Sequence, residues 1–165
     1  LHWFPIHGGV VAIVIRRRDS QCSPMGAALK SVEDESITED SWRQMQTRSR
    51  DLIRSLQNLV LEFLDDGKSV CGFGASAKSS VWVTMCGFQR DQIRFISDNT
   101  PQKQWKFSPG TDIPILDEGA LLRERPDYAI LFAWNYAAEI LRKQSRYTEL
   151  GGKFIIPSGE IKIVP

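Results

Sequence analysis

The chain has 165 residues, 42% of them hydrophobic and 25% charged, with a formal net charge of +1. That is material for one packed core, or one domain with an appendage, and gives no global attraction for nucleic acid or an anionic membrane. No apolar run approaches the roughly 18 residues that span a bilayer, and the N-terminus lacks the basic-then-apolar order of a signal peptide. Opening on Leu1 and entering strand-like sequence at once, the chain reads as a piece of a longer protein. "GVVAIVIRR" (9–17) is β-branched and apolar and predicts a strand, paired with something upstream. The basic cluster Arg16–Arg18 closes it as a solvated end. Residues 19–36, "DSQCSPMGAALKSVEDES", have linker chemistry.

Ser36 to Asp66 predicts the longest helix. Ser36 and Glu39 have capping-box spacing, and Trp42, Met45, Leu52, Ile53, Leu56, Val60, Phe63 and Leu64 form one apolar stripe. Gly67 follows as a C-terminal cap. The pattern then alternates: strand 69–73, helix 76–85 closed by Gly87, strand 93–97, an extended piece at 112–116, helix 118–124, strand 127–134, helix 137–148, strand 153–157 and a last, edge strand at 160–164. Such alternation means βαβ units and a mostly parallel sheet flanked by helices, an α/β, Rossmann-like fold.

Cys22, Cys71 and Cys86 are odd in number and widely spaced, with no Cys-x-x-Cys pair and no Cys/His ligand set, so no metal site is expected. They suit a reducing, cytoplasmic setting, with Cys71 and Cys86 as buried structural thiols. His2 and His7 lie in the N-terminal appendage, His7 as a turn residue. No catalytic motif is present, and no catalytic residue is assigned.

"SVCGFGASAKSS" (69–80) carries the chemistry. Gly72, Gly74 and Ala77 spell G-x-G-x-x-A between a strand and a helix, the place of the dinucleotide fingerprint. There Gly72 would permit a tight turn, Gly74 the approach of a pyrophosphate, and Ala77 close packing of helix on strand. Lys78 puts a cation in the first turn, against the helix dipole, where an anion would relieve it. Asp98, ending the next strand, stands where a ribose-binding carboxylate belongs. The loop from Gly72 through Phe73, Gly74, Ala75, Ser76 and Lys78, the pair Asp98 and Asn99, and Trp134 and Asn135 all fall at the C-terminal ends of parallel strands, where α/β sheets bind ligands. The same residues also suit an ordinary tight turn, so both readings stay open on pattern alone.

Five stretches in order resemble the C-terminal domain of bacterial sugar C-methyltransferases, which methylate nucleotide-linked keto-deoxysugars. They are "PIHGG", "GFGASAK", "ISDNTPQKQWKFSPGTDIPI", "AWNYAAEI" and "GGKFIIP", from Pro5 to Pro157. The resemblance implies three parts in the parent: a zinc-binding domain, an S-adenosylmethionine-binding Rossmann domain, and a second Rossmann-like domain. Residues 1–35 would be the tail of the second part with a linker, and 36–165 the third. It implies a nucleotide sugar held between this domain and the upstream methyltransferase domain of the same chain, and proton removal beside a ketone to give an enolate that attacks the activated methyl. The bases, the zinc cysteines and the main cofactor loop would lie upstream of Leu1, leaving this chain to position the substrate without turnover of its own. Departures from the family's usual residues at Val10, Ser76, Ser79 and Ser80 leave the sugar open. Other readings are an NAD- or nucleotide-sensing Rossmann domain and a purely structural one.

Overall fold

The computed structural model describes the backbone strands at 2–4 and 10–12 and all of residues 38–165. The Arg16–Arg18 cluster, His7, Cys22, Ser36 and the 19–36 linker lie outside the described residues. The chain forms two compact units, Leu1–Gln46 and Thr47–Pro165. In the first, β1 (His2–Phe4) pairs antiparallel with β2 (Val10–Ala12), Trp3 opposite Val11. The predicted strand over 9–17 is thus described only at Val10–Ala12, and its partner is His2–Phe4.

Helix α1 (Glu39–Asp65) starts two residues later than a capping box at Ser36 predicts. Thr38 caps it: its hydroxyl accepts the Ser41 amide at 3.1 Å, while the Ser41 hydroxyl donates to the Thr38 carbonyl at 2.8 Å. The expected stripe is buried only in its second half. Leu56 and Val60 are fully buried, with Ile53, Leu59, Phe63 and Leu64 packed beside them, whereas Trp42 and Met45 are 51% and 48% exposed. At Gly67 the chain reverses as predicted, the Lys68 amide donating to the Phe63 carbonyl at 2.8 Å.

The second unit is built on a six-stranded sheet. Its strands are β3 (Val70–Phe73), β4 (Ile96–Ser97), β5 (Ile115–Leu116), β6 (Tyr128–Leu131), β7 (Lys153–Ser158) and β8 (Glu160–Val164). The spatial order is β5-β4-β3-β6-β7-β8, parallel throughout except for β8, which folds back antiparallel on β7 as the predicted edge strand. Counted from β3, this is the doubly wound order 3-2-1-4-5-6 of dinucleotide-binding sheets, whose direction of winding reverses between β3 and β6.

Strand alternation sorts the core into two layers. Val70, Ile130, Phe132 and Ile155 face α1 and α2 (Ala77–Cys86). Cys71, Phe73, Ala129, Leu131 and Phe154 face the other side, covered by α3 (Ala120–Glu124), α4 (Ala137–Lys143) and α5 (Ser145–Glu149). The helix expected over 137–148 is therefore two, broken at Gln144. The Gln144 side chain, 8% exposed, donates to Glu118 at 2.6 Å, and Tyr147 fills the layer under α3 to α5, its hydroxyl donating to the Pro126 carbonyl at 3.0 Å. Cys71 and Cys86 are buried free thiols, as expected. Desolvation pushes Cys71 far up and Cys86 up to about 12, so both stay protonated. Among the described residues no helix is long and apolar enough to cross a membrane.

Candidate functional site

The loop after β3 folds differently from the fingerprint reading. Gly72 is not in a turn; it lies inside β3, fully in the sheet. It faces the α1 and α2 side of the sheet, where a Cβ would sit 2.7 Å from the Phe132 ring and 3.0 Å from Ile96. Gly74 makes the turn, at φ +89°, and a Cβ there would come within 2.9 Å of the Ala133 Cβ. Both glycines are thus required by the neighbouring strand and the segment that follows it. Ser76 then caps α2, its hydroxyl accepting the Ser79 amide at 3.4 Å, while the Ser79 hydroxyl donates to the Ser76 carbonyl at 2.6 Å. Gly87 ends the helix at φ 65°, with the Phe88 amide donating to Val83 at 3.0 Å.

Lys78 has partners from across the winding reversal. Its ammonium donates to the Asn135 side-chain carbonyl at 2.9 Å and lies 4.8 Å from the centre of the Trp134 ring. Trp134 also meets Trp82 of α2 edge-on. The predicted strand over 127–134 stops at Leu131, and Trp134–Tyr136 forms a 3-10 turn instead. Trp134 and Asn135 therefore hold α2 rather than ending a strand.

Asp98 is 5% exposed, and its carboxylate is engaged internally. One oxygen accepts the Thr100 amide at 2.8 Å, the other faces the Lys103 ammonium at 3.4 Å, and the Asp98 carbonyl accepts from Gln104 at 3.0 Å. These contacts fold the segment from Asp98 to Gln104 on itself. A ribose would have to displace them.

Two cavities flank the turn. The first is a crevice of about 300 Å³ at the winding reversal, whose walls include Phe73, Gly74, Ser76, Asp98, Asn99 and Tyr136. Five of the ten predicted residues meet there. Four of its five charged side chains pair off: Asp98 with Lys103, and Lys143 with Glu139 at 2.6 Å, which holds that carboxyl below the usual carboxylate range. Glu118 accepts from Gln144. The second cavity, of about 320 Å³, lies between the start of α2 and the 102–109 segment and takes in Ala75 and Ser76. Gly72, Lys78, Trp134 and Asn135 line neither. Thr100, Lys103, Glu118, Tyr136, Glu139 and Lys143 of the crevice were not singled out by pattern. Among the described residues no group of three or more His, Cys, Asp or Glu side chains could hold a metal.

At Gly72 and Gly74 the space a side chain would take is filled by Phe132 and Ala133, and the Asp98 carboxylate, in the place of a ribose-binding group, is tied to Thr100 and Lys103.

Comparison with known proteins is in keeping with the fold. The profile of the C-methyltransferase C-terminal domain family matches residues 5–158. The C-methyltransferase NovU of Streptomyces niveus is 34% identical over 168 residues, which cover 99% of this chain and 40% of that protein. The chain thus spans about two-fifths of its curated relative. A family match along nearly the whole chain, on a doubly wound sheet, places it: the chain belongs to the family of C-methyltransferase C-terminal domains.

Proposed function

We propose that the chain is the substrate-positioning module of an S-adenosylmethionine-dependent C-methyltransferase acting on a nucleotide-linked keto-deoxysugar. The cofactor and the proton-abstracting groups belong to the upstream part of the parent protein, and residues 36–165 form one wall of the substrate cleft. The observation that carries the reading is the crevice at the winding reversal, where Phe73, Gly74, Ser76, Asp98 and Asn99 converge in a member of this family. Its largely paired charges and the hydroxyls of Ser76, Thr100 and Tyr136 suit a polyhydroxylated, uncharged group such as a sugar ring. Bound S-adenosylmethionine would supply the activated methyl; this chain's part is to orient the sugar and exclude water. The isolated chain has no turnover of its own. Methyl transfer from labelled S-adenosylmethionine by the intact parent, on a panel of keto-deoxysugar nucleotides, tests this. Labelling of none of them, with labelling of a substrate without a nucleotide, would reject it.

A second reading is favoured by a specific observation. Gly72, Gly74, Lys78 and Asp98 each have a protein partner that accounts for them, as a purely structural domain would require. Substitution of Asn99 and Tyr136 in the parent separates the two: a scaffold leaves the substrate KM unchanged, and a positioning wall raises it.

A further inference from the structure

We infer that the outer face of α2 and the 105–107 segment form the seat on which the preceding part of the parent protein docks, with Trp105 as its anchor; this rests on the function proposed above, in which that part supplies the other wall of the cleft. α2 is apolar on two sides. Val83 and Cys86 are buried in the core, yet Val81 and Met85 are 55% and 54% exposed. Ala77, Val81 and Met85 follow one another at four-residue steps and so share one face. Lys78 is the one charged residue of this helix. A helix apolar all round is one packed all round, and the described residues leave this face open. The apolar surface continues beyond the helix. Ala77 and Phe107 line the same cavity, of about 320 Å³, together with Ala75, Pro109 and Ile115. Phe107 is 59% exposed, and Trp105, two positions before it, is 72% exposed.

Trp105 supplies an independent observation. Its backbone sits at φ 64°, in the left-handed region that a bulky residue occupies only at a cost. Backbone bonds hold it there: the Trp105 amide donates to the Ile115 carbonyl at 2.7 Å, and the Ile115 amide donates to the Lys106 carbonyl at 2.7 Å. Glycine would make the same bonds without strain. The exposed indole gains little packing within the chain to offset that strain, which points to a use outside it.

The occupant follows from length and area. The matched family is a C-terminal domain, and the chain spans 40% of NovU, so a parent of that kind has most of its length ahead of this domain. Val81, Met85, Trp105 and Phe107 offer on the order of 500 Å² a side, short of the roughly 800 Å² a side that a free-standing complex buries. Contacts between domains of one chain total about 600–1,500 Å², so the area suits a tethered neighbour and not a second copy. Ser76 and Lys103 line both this cavity and the crevice, so a neighbour seated here borders the sugar.

The test is hydroxyl-radical footprinting, read by mass spectrometry on the intact parent and on this chain alone. Oxidation of Met85, Trp105 and Phe107 should fall by about fivefold or more in the parent, since a seated partner excludes water. Leu150, 55% exposed at the end of α5, should oxidise alike in both. V81K should leave the Tm of the chain unchanged and uncover Trp105 in the parent. W105G should raise the Tm of the chain by about 2–6 °C, through relief of the left-handed strain, and uncover Met85 in the parent. Equal oxidation in the two forms, or a W105G chain whose Tm does not rise, overturns the seat. Protection of the chain alone, with a doubled mass by light scattering, gives the face to a second copy and overturns it too. The two proposals fail differently. Protection in a parent that methylates no nucleotide-linked sugar supports the seat and overturns the proposed function. Methylation of such a sugar without protection leaves that function standing and overturns the seat.

Discussion

Gly74→Ala asks whether the turn glycine serves a ligand or the protein's own packing. Two costs can be worked out from the geometry. At φ +89° a residue with a Cβ loses about 1–2 kcal/mol. The added methyl would also meet the Ala133 Cβ at 2.9 Å, well inside contact distance, and such overpacking costs about 1–3 kcal/mol. The sum is about 2–5 kcal/mol, or a fall in Tm of about 4–20 °C for a chain of this size. Ala133→Gly removes the steric part and leaves the backbone part. A double-mutant cycle by urea unfolding should therefore return a coupling of about 1–3 kcal/mol, the double variant being more stable than the two single effects added. A Gly74→Ala chain within 0.5 kcal/mol of the parent, or a cycle without coupling, would refute the packing argument and return Gly74 to a ligand role.

Other outcomes follow from single contacts. Tyr147→Phe removes the donor to the Pro126 carbonyl and should destabilise the fold by about 1–2 kcal/mol, read from the urea midpoint. In a Cys22→Ala background, Cys71 and Cys86 should label with a thiol reagent at pH 8 only as the chain unfolds, since burial keeps both protonated; rapid native labelling would contradict that burial. The Asp127 carboxyl is held below the usual range, first by the Ser69 amide at 2.8 Å, with help from the Ser69 hydroxyl and Lys68. A lowered folded pKa gives stability that is present above the unfolded value near ~3.9 and lost as pH falls through the folded one. Asp127→Asn should therefore flatten the acid limb of the stability curve below about pH 4, and an unchanged limb would show that the bonds are not formed in solution. Lys78→Ala should change stability by less than about 1 kcal/mol, because the lost contact to Trp134 is offset by relief of a cation at a helix start.

What could be read in advance was local or periodic. Gly67 and Gly87 were legible as caps because a helix end demands them from its own last turn. The sheet was legible because β-branched runs alternate with helical ones. Partners far away in sequence were not. Phe132 and Ala133, which explain Gly72 and Gly74, come about sixty residues later, so the glycines looked like a fingerprint. Lys78 looked like a charge awaiting an anion because Asn135 is 57 positions away. Thr38 was passed over for Ser36, since two hydroxyl residues so close in sequence offer the same chemistry. No element was predicted over 102–109, and the cavity beside it exists only once that segment packs against α2.

The pairing of β3 with β6, Val70 beside Tyr128, bears on how the molecule assembles. Pairing of β3, β4 and β5 needs only sequence that comes before Asp117, whereas the crevice needs a loop of nearly sixty residues to close. Parallel pairing at that separation is slow, because chain entropy is lost before contacts compensate for it. A chain leaving the ribosome completes one flank of the sheet first and has no crevice until Tyr128–Leu131 emerges. Any truncation before β6 leaves β3 as an open, apolar edge, a template for aggregation instead of a smaller version of the domain.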